Sequence, residues 1–235
     1  MISLVWIITI IICIILLLIG CFLCTNHDRN ITTHTIDGYT VLEIHDLLST
    51  TECEDLIEFS TTQSMVPSSV ADYINTTSGR KVDDTRKSTN YWLTNAGHPV
   101  AEKLSQISAE LTNIPPENQE MLQVVKYEAG GTFFPHFDAC DSLDVSFCDT
   151  FNHHSGQRRY TLLVYLNDDY EGGETEFVDI GLKIRPKMGK AILFPSTTTD
   201  HTIIPNSKHM GHEVRNGNKW ICTKWSHPYV WNETV

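Results

Sequence analysis

Leu122-Gln-Val-Val-Lys-Tyr-Glu-Ala-Gly-Gly-Thr-Phe-Phe-Pro-His-Phe-Asp138 is the stretch on which the fold reading turns. Leu122–Tyr127 is short, apolar and β-branched, Gly130-Gly131 breaks it, and Phe133–Phe137 resumes a strand-like pattern. That is strand, turn, strand. Residues two apart on a strand point to one side. His136 and Asp138 therefore aim an imidazole and a carboxylate at a common point, two of the three ligands of a facial two-histidine, one-carboxylate iron site. Alone, a His-x-Asp pair is a weak signal, because a surface hydrogen bond accounts for most such pairs.

Downstream, more short β-prone segments follow: Tyr160–Leu166, Thr175–Val178, Ala191–Phe194 and Trp220–Trp225. Turn residues punctuate them at Asn167-Asp168-Asp169, Gly172-Gly173 and Asn216-Gly217-Asn218. Upstream, Val41–Ile44 reads as a strand and Ser49-Thr-Thr-Glu52 as a capping box opening a helix near Thr50. Val100, Leu104, Ile107 and Leu111 recur at helical spacing, and Pro115-Pro116 stops that helix. Ser60–Thr89 is rich in Ser, Thr and Asp and reads as a long loop region. Two helices followed by many short strands predict an α+β chain: a barrel or jelly roll with helices packed outside.

The third ligand is His201 or His209. From His209 the chain runs through the Asn216-Gly217 turn into Lys219-Trp-Ile-Cys-Thr-Lys-Trp225, where Lys219, Ile221, Thr223 and Trp225 share a face. Turned inward, that face buries one ammonium group, which is costly unless it meets an anion. No Lys or Arg stands in a comparable place after His201. The spacing favours His209, with a dicarboxylate as the anion.

The 235 residues divide into a proposed transmembrane anchor (1–24), a polar linker (25–37) and one domain (38–230). Residues 2–24 are almost wholly apolar, long enough for a hydrocarbon core of roughly 30 Å, and lack the basic start of a signal peptide. The formal charge of −12 argues against nucleic acid as partner. Sequons at Asn30, Asn75 and Asn232 favour a secretory compartment such as the endoplasmic reticulum lumen, and a glycoprotein. Cys140 and Cys148 flank a short acidic segment, either as a disulfide or as two unrelated thiols.

The set His136-x-Asp138, His209, Lys219 resembles the Fe(II)- and 2-oxoglutarate-dependent dioxygenases, specifically the catalytic alpha subunits of prolyl 4-hydroxylases. Gly156-Gln157-Arg158 with Thr161, Tyr165-Leu166 and Gly172-Gly173-Glu174-Thr175-x-Phe177 is similar to that family's central strand and hairpin. The resemblance covers residues 38–228. It implies a double-stranded β-helix, with His136, Asp138 and His209 on iron and Lys219 on the 5-carboxylate of 2-oxoglutarate. It implies Tyr127 hydrogen-bonding the cosubstrate, Tyr165 and Thr161 lining the pocket, and use of O₂ and ascorbate. The implied reaction is hydroxylation of proline in a peptide, releasing succinate and CO₂. Phe134, Phe137, Ile221 and Trp225 are expected to keep the site apolar. The alternatives are the same chemistry on another residue such as lysine, a non-catalytic membrane-tethered β-barrel protein, and a zinc hydrolase, which leaves Lys219 unexplained. The Cys140–Cys148 segment and Ser60–Thr89 depart from the family pattern, and because the second borders the peptide groove in relatives, the resemblance does not fix the substrate.

Overall fold

Antiparallel pairing organises the chain from Ile31 onward. The computed structural model describes residues 29–72 and 80–232. Its large sheet holds eight strands: β1 (Ile31–Ile36), β2 (Tyr39–Ile44), β3 (Val66–Pro67), β6 (Thr89–Leu93), β7 (Leu122–Tyr127), β9 (Tyr160–Tyr165), β13 (Ala191–Pro195) and β16 (Lys219–Ser226). Their spatial order is β1-β2-β13-β9-β16-β7-β6-β3. A four-stranded sheet, ordered β12-β11-β14-β8, holds β8 (Phe133–His136), β11 (Thr175–Phe177), β12 (Leu182–Ile184) and β14 (His209–Gly211). Two ribbons complete the strands: β4 (Ser69–Ala71) with β5 (Arg80–Val82), and β10 (Glu171–Gly172) with β15 (Val214–Asn216).

The central strands are buried on both faces, which is why they read as nearly unbroken apolar runs rather than as an alternation. Leu162 and Val164 of β9 and Cys222 of β16 face one way, where they meet Cys53, Leu56, Val100, Leu104 and Ile107. Those residues lie on two helices, α1 (Thr50–Thr61) and α2 (Pro99–Thr112). Leu163, Tyr165 and Ile221 face the other way and pack with Phe177, Ile184 and Val214 of the smaller sheets. One sheet thus separates two cores, one under the helices and one between the sheets. Truncating Leu56 or Leu104, both fully buried, would cost about 2–5 kcal/mol.

Local chemistry sets the element ends. Ser49 accepts from the Glu52 amide and Glu52 accepts from the Ser49 amide, the reciprocal box expected at the start of α1. α2 ends at Asn113, whose left-handed conformation (φ 56°) turns the chain toward Pro115-Pro116.

Several expectations are corrected. Residues 31–36 belong to the sheet rather than the linker: their Ile and Thr side chains suit a strand, and Asp37-Gly38, both at positive φ, makes the tight hairpin to β2. The 60–89 region, read as loop, contributes three short strands, β3 to β5. Among the described residues no helix is long and apolar enough to cross a membrane. The apolar run 2–24 and the Asn75 sequon lie outside the described residues. Cys140 and Cys148 form a disulfide, with Cα atoms 5.6 Å apart. The segment after Cys140 leads into a short helix, α3 (Val145–Phe151).

Candidate active site

Sheet register brings the histidines together. In the small sheet His209 lies directly opposite His136, and Phe177 directly opposite His209. Directly opposed residues hold their side chains within reach of each other. Asp138 follows just after β8 ends. One ligand atom each from His136, Asp138 and His209 lies within 4.8 Å of the other two. His136 Nε2 is 3.9 Å from Asp138 Oδ1, and His209 Nε2 is 3.9 Å from Asp138 Oδ2.

The rings are held by contacts on their far sides. His136 Nδ1 is 2.8 Å from the Phe134 carbonyl oxygen, and His209 Nδ1 is 2.9 Å from that of Ser207. A carbonyl only accepts, so each Nδ1 donates and each Nε2 is turned toward the centre. Phe133 stacks on His136 at 3.5 Å between centroids, and Phe194 meets His209 edge-on at 5.0 Å. Burial, with His209 nearby, pushes the His136 pKa down to about 3, so the ring is neutral at physiological pH. Burial alone would raise the Asp138 carboxyl. Arg158 and a hydrogen bond from Thr161 act against it, and the Asp138 carboxyl lies below its ordinary range. Two imidazoles and one carboxylate, converging at one point, suit a divalent iron ion and leave coordination positions for other ligands.

Lys219 stands in the same cavity, which has a volume of about 310 Å³ and is lined by His136, Asp138, His209, Tyr127, Thr161 and Lys219 among others. It is 2% exposed. Its Nζ donates to the Gly173 carbonyl at 2.7 Å and lies 5.2 Å from the Tyr127 ring centroid, its cross-strand partner. Burial lowers its pKa to about 8. Gly173 makes this path possible: at φ 68° a Cβ there would come within 3.0 Å of Lys219 Cδ. An ammonium group so placed, held by a neutral carbonyl, suits an anion arriving from the cavity side.

The other expected site residues separate into three kinds. Tyr127 lines the cavity. Thr161 also lines it, but its hydroxyl is committed, donating to Asp138 Oδ2 at 2.6 Å. Tyr165 does not line it: its hydroxyl donates to Thr175 Oγ1 at 2.7 Å and its ring packs between the sheets. Ile221 and Trp225 line the cavity, as does Phe137. Phe134 is 51% exposed, because it stands at the mouth rather than in the apolar interior. His201 sits on a turn at positive φ with its ring against Tyr229, and His212 bonds Glu176. Neither joins the cluster.

A buried charged network behind Asp138 escaped the sequence reading. Glu120, 1% exposed, accepts from Arg158 Nε at 2.5 Å and Nη2 at 2.9 Å and lies 2.9 Å from His227 Nε2. Arg158 Nη1 donates to the Asp138 carbonyl at 3.2 Å, and the guanidinium lies 3.8 Å over the Trp225 ring. Burial would raise the Glu120 carboxyl, but Arg158 and His227 hold it well below the usual carboxylate range. Lys224, fully buried, donates to Asn95 Oδ1 and to the Glu120 carbonyl. A lysine on the helix-facing side of an apolar strand was the available signal.

Comparison with known proteins points one way. The 2OG-Fe(II) oxygenase superfamily model matches residues 122–227. Prolyl 4-hydroxylase 1 of Arabidopsis thaliana is 36% identical over 201 residues, covering 79% of this chain and 68% of the plant protein. Prolyl 4-hydroxylase subunit alpha-1 of Bos taurus is 29% identical over 222 residues, covering 87% of this chain and 39% of the bovine one. Among solved structures, the viral collagen prolyl hydroxylase of Paramecium Bursaria Chlorella virus-1, in its 2OG complex, superposes with a TM-score of 0.65 at 29% identity. That match covers 82% of this chain and 98% of the viral one.

Proposed function

The chain belongs to the prolyl 4-hydroxylase family of 2OG-Fe(II) oxygenases, and we propose that it hydroxylates proline within a peptide, consuming 2-oxoglutarate and O₂ and releasing succinate and CO₂. The observation that carries this reading is one cavity holding both the His136–Asp138–His209 cluster and the buried ammonium of Lys219. A hydrolytic zinc site has no use for the second feature. Bound iron with 2-oxoglutarate and O₂ supplies the oxidising power for an unactivated carbon, and ascorbate keeps the iron ferrous.

The protein's own residues do the rest. His136, Asp138 and His209 would hold the ion, two imidazoles and a carboxylate converging on one point. Lys219 pairs with the far carboxylate of 2-oxoglutarate, and Tyr127 lies beside it. Thr161 serves by fixing the Asp138 carboxylate rather than by touching the cosubstrate. The apolar lining from Phe133, Ile221 and Trp225 excludes water from the reacting centre. The facing of the small sheet and the large one supports the double-stranded β-helix arrangement.

We place the domain in an oxidising secretory compartment, tethered by residues 2–24. The apolar run, the Cys140–Cys148 disulfide and the exposed sequon residues Asn30 and Asn232 support this. Retention of the full chain in carbonate-washed membranes, with an endoglycosidase-sensitive mass, is the expected outcome; a carbonate-soluble chain of unmodified mass refutes it.

Mass spectrometry of synthetic proline-rich and lysine-containing peptides after incubation with the full chain tests the substrate. Hydroxyproline formation, absent with His209→Ala, is expected. Hydroxylysine alone would move the assignment to the lysine alternative.

A further inference from the structure

The segment immediately after Asp138 is built unlike the rest of the domain. Cys140, two residues beyond that carboxylate, is tied by its disulfide to Cys148 in α3. The helix has seven residues, too few to persist alone. Its apolar residues do not reach either main core. They form a separate small cluster of Cys140, Phe147, Cys148 and the partly buried Phe151. Leu143 and Val145 point outward, 101% and 80% exposed. The disulfide ties the two ends of this segment together, and Gln157 fixes its start, donating to the Cys140 carbonyl at 2.8 Å and accepting from the Cys140 amide at 2.9 Å.

The same segment is a wall of the active cavity. Cys140, Asp141 and Phe151 line it on one side, and Ser69, Ala71 and Arg80 line it too. The Arg80 guanidinium lies 4.7 Å over the Phe151 ring, so the two linings touch. His136, His209 and Lys219 are carried by the sheets, and Asp138, two residues before Cys140, is held separately by Arg158 and Thr161.

We propose that the Cys140–Cys148 disulfide is a redox-sensitive staple for the substrate wall: intact, it holds the wall that receives the peptide, and its reduction weakens peptide binding while leaving the 2-oxoglutarate end of the site in place. The inference rests on the peptide-hydroxylase reading above. A dithiol reductant supplies the two electrons and two protons. The S–S bond breaks, two thiols form, and the reductant closes its own disulfide.

Steady-state kinetics of the full chain on a synthetic Pro-Pro-Gly repeat peptide tests this, before and after dithiothreitol and in Cys148→Ser. We expect the peptide KM to rise about tenfold with reduction and in Cys148→Ser, and the KM for 2-oxoglutarate to stay within about twofold. Cys148→Ser should no longer respond to dithiothreitol, and reoxidation of the wild type should restore its KM. A peptide KM unchanged by reduction overturns the proposal, as does an equal rise in both constants. Reduction of the folded wild type keeps the test valid should Cys148→Ser fail to fold. If the wild type leaves proline unmodified, the hydroxylase reading fails instead. The staple is then read by amide exchange: acceleration on reduction confined to 139–152 supports it, and unchanged exchange there refutes it.

Discussion

Lys219 carries the most chemical information of any single residue here. Its burial lowers its pKa to about 8, so the ligand-free side chain loses its charge as pH rises through that value. Binding of a carboxylate needs the charged form. The KM for 2-oxoglutarate should therefore be flat below about pH 8 and rise up to tenfold per pH unit above it. Folding stability rises over the same range: a depressed lysine pKa means the unfolded chain binds the extra proton, so this residue's penalty is relieved as pH rises. A KM for 2-oxoglutarate and a denaturation midpoint that both rise with pH above about 8 would identify Lys219; a midpoint that falls there would not. Thr161 acts at one remove. Removing its hydroxyl in Thr161→Val frees Asp138 Oδ2, and Fe(II) affinity, read by anaerobic titration, should fall about 10–100-fold while the fold survives. Unchanged affinity would show that the carboxylate needs no such restraint.

At the scale of elements, β16 performs two tasks with alternate residues. Lys219, Ile221, Thr223 and Trp225 face the cavity, and Trp220, Cys222 and Lys224 face away from it. The two-residue period predicted the first set from sequence, because a strand allows no other facing. The capping box of α1, the Pro stop after α2 and the His-x-Asp pair were legible for the same reason: each is a local rule with a fixed spacing. The Glu120–Arg158–His227 network was not, since its members lie 38 and 107 residues apart and meet only through the pairing of β7, β9 and β16. For Tyr165 periodicity gave the inner face, on which its ring centroid lies 5.8 Å from Lys219 Nζ, but not the Thr175 hydroxyl that its own hydroxyl meets. β1 was missed because a Thr-rich edge strand is as polar as a linker. The network also sets a stability test. Glu120→Gln takes from buried Arg158 its bidentate ion-pair partner and should cost about 3–5 kcal/mol in chemical denaturation. A loss below about 1 kcal/mol, the range of an exposed ion pair, would mean that solvent reaches it.

For the whole molecule, two cores on either side of one sheet divide the labour. The helix-side core packs one face of the large sheet, and on the inner side His136 and His209 stand on the small sheet and Lys219 on the large one. The cavity is lined in part by Cys140 and Asp141, next to the Cys140–Cys148 disulfide. The account as a whole stands on oxygen chemistry at the His136–Asp138–His209 cluster. Incubating the full chain with Fe(II), 2-oxoglutarate, a proline peptide and ¹⁸O₂ in ordinary water, then weighing both products, tests it most directly. The account predicts one labelled oxygen in hydroxyproline and one in succinate. Hydroxyproline carrying only solvent oxygen, or succinate absent while the peptide is modified, would contradict it.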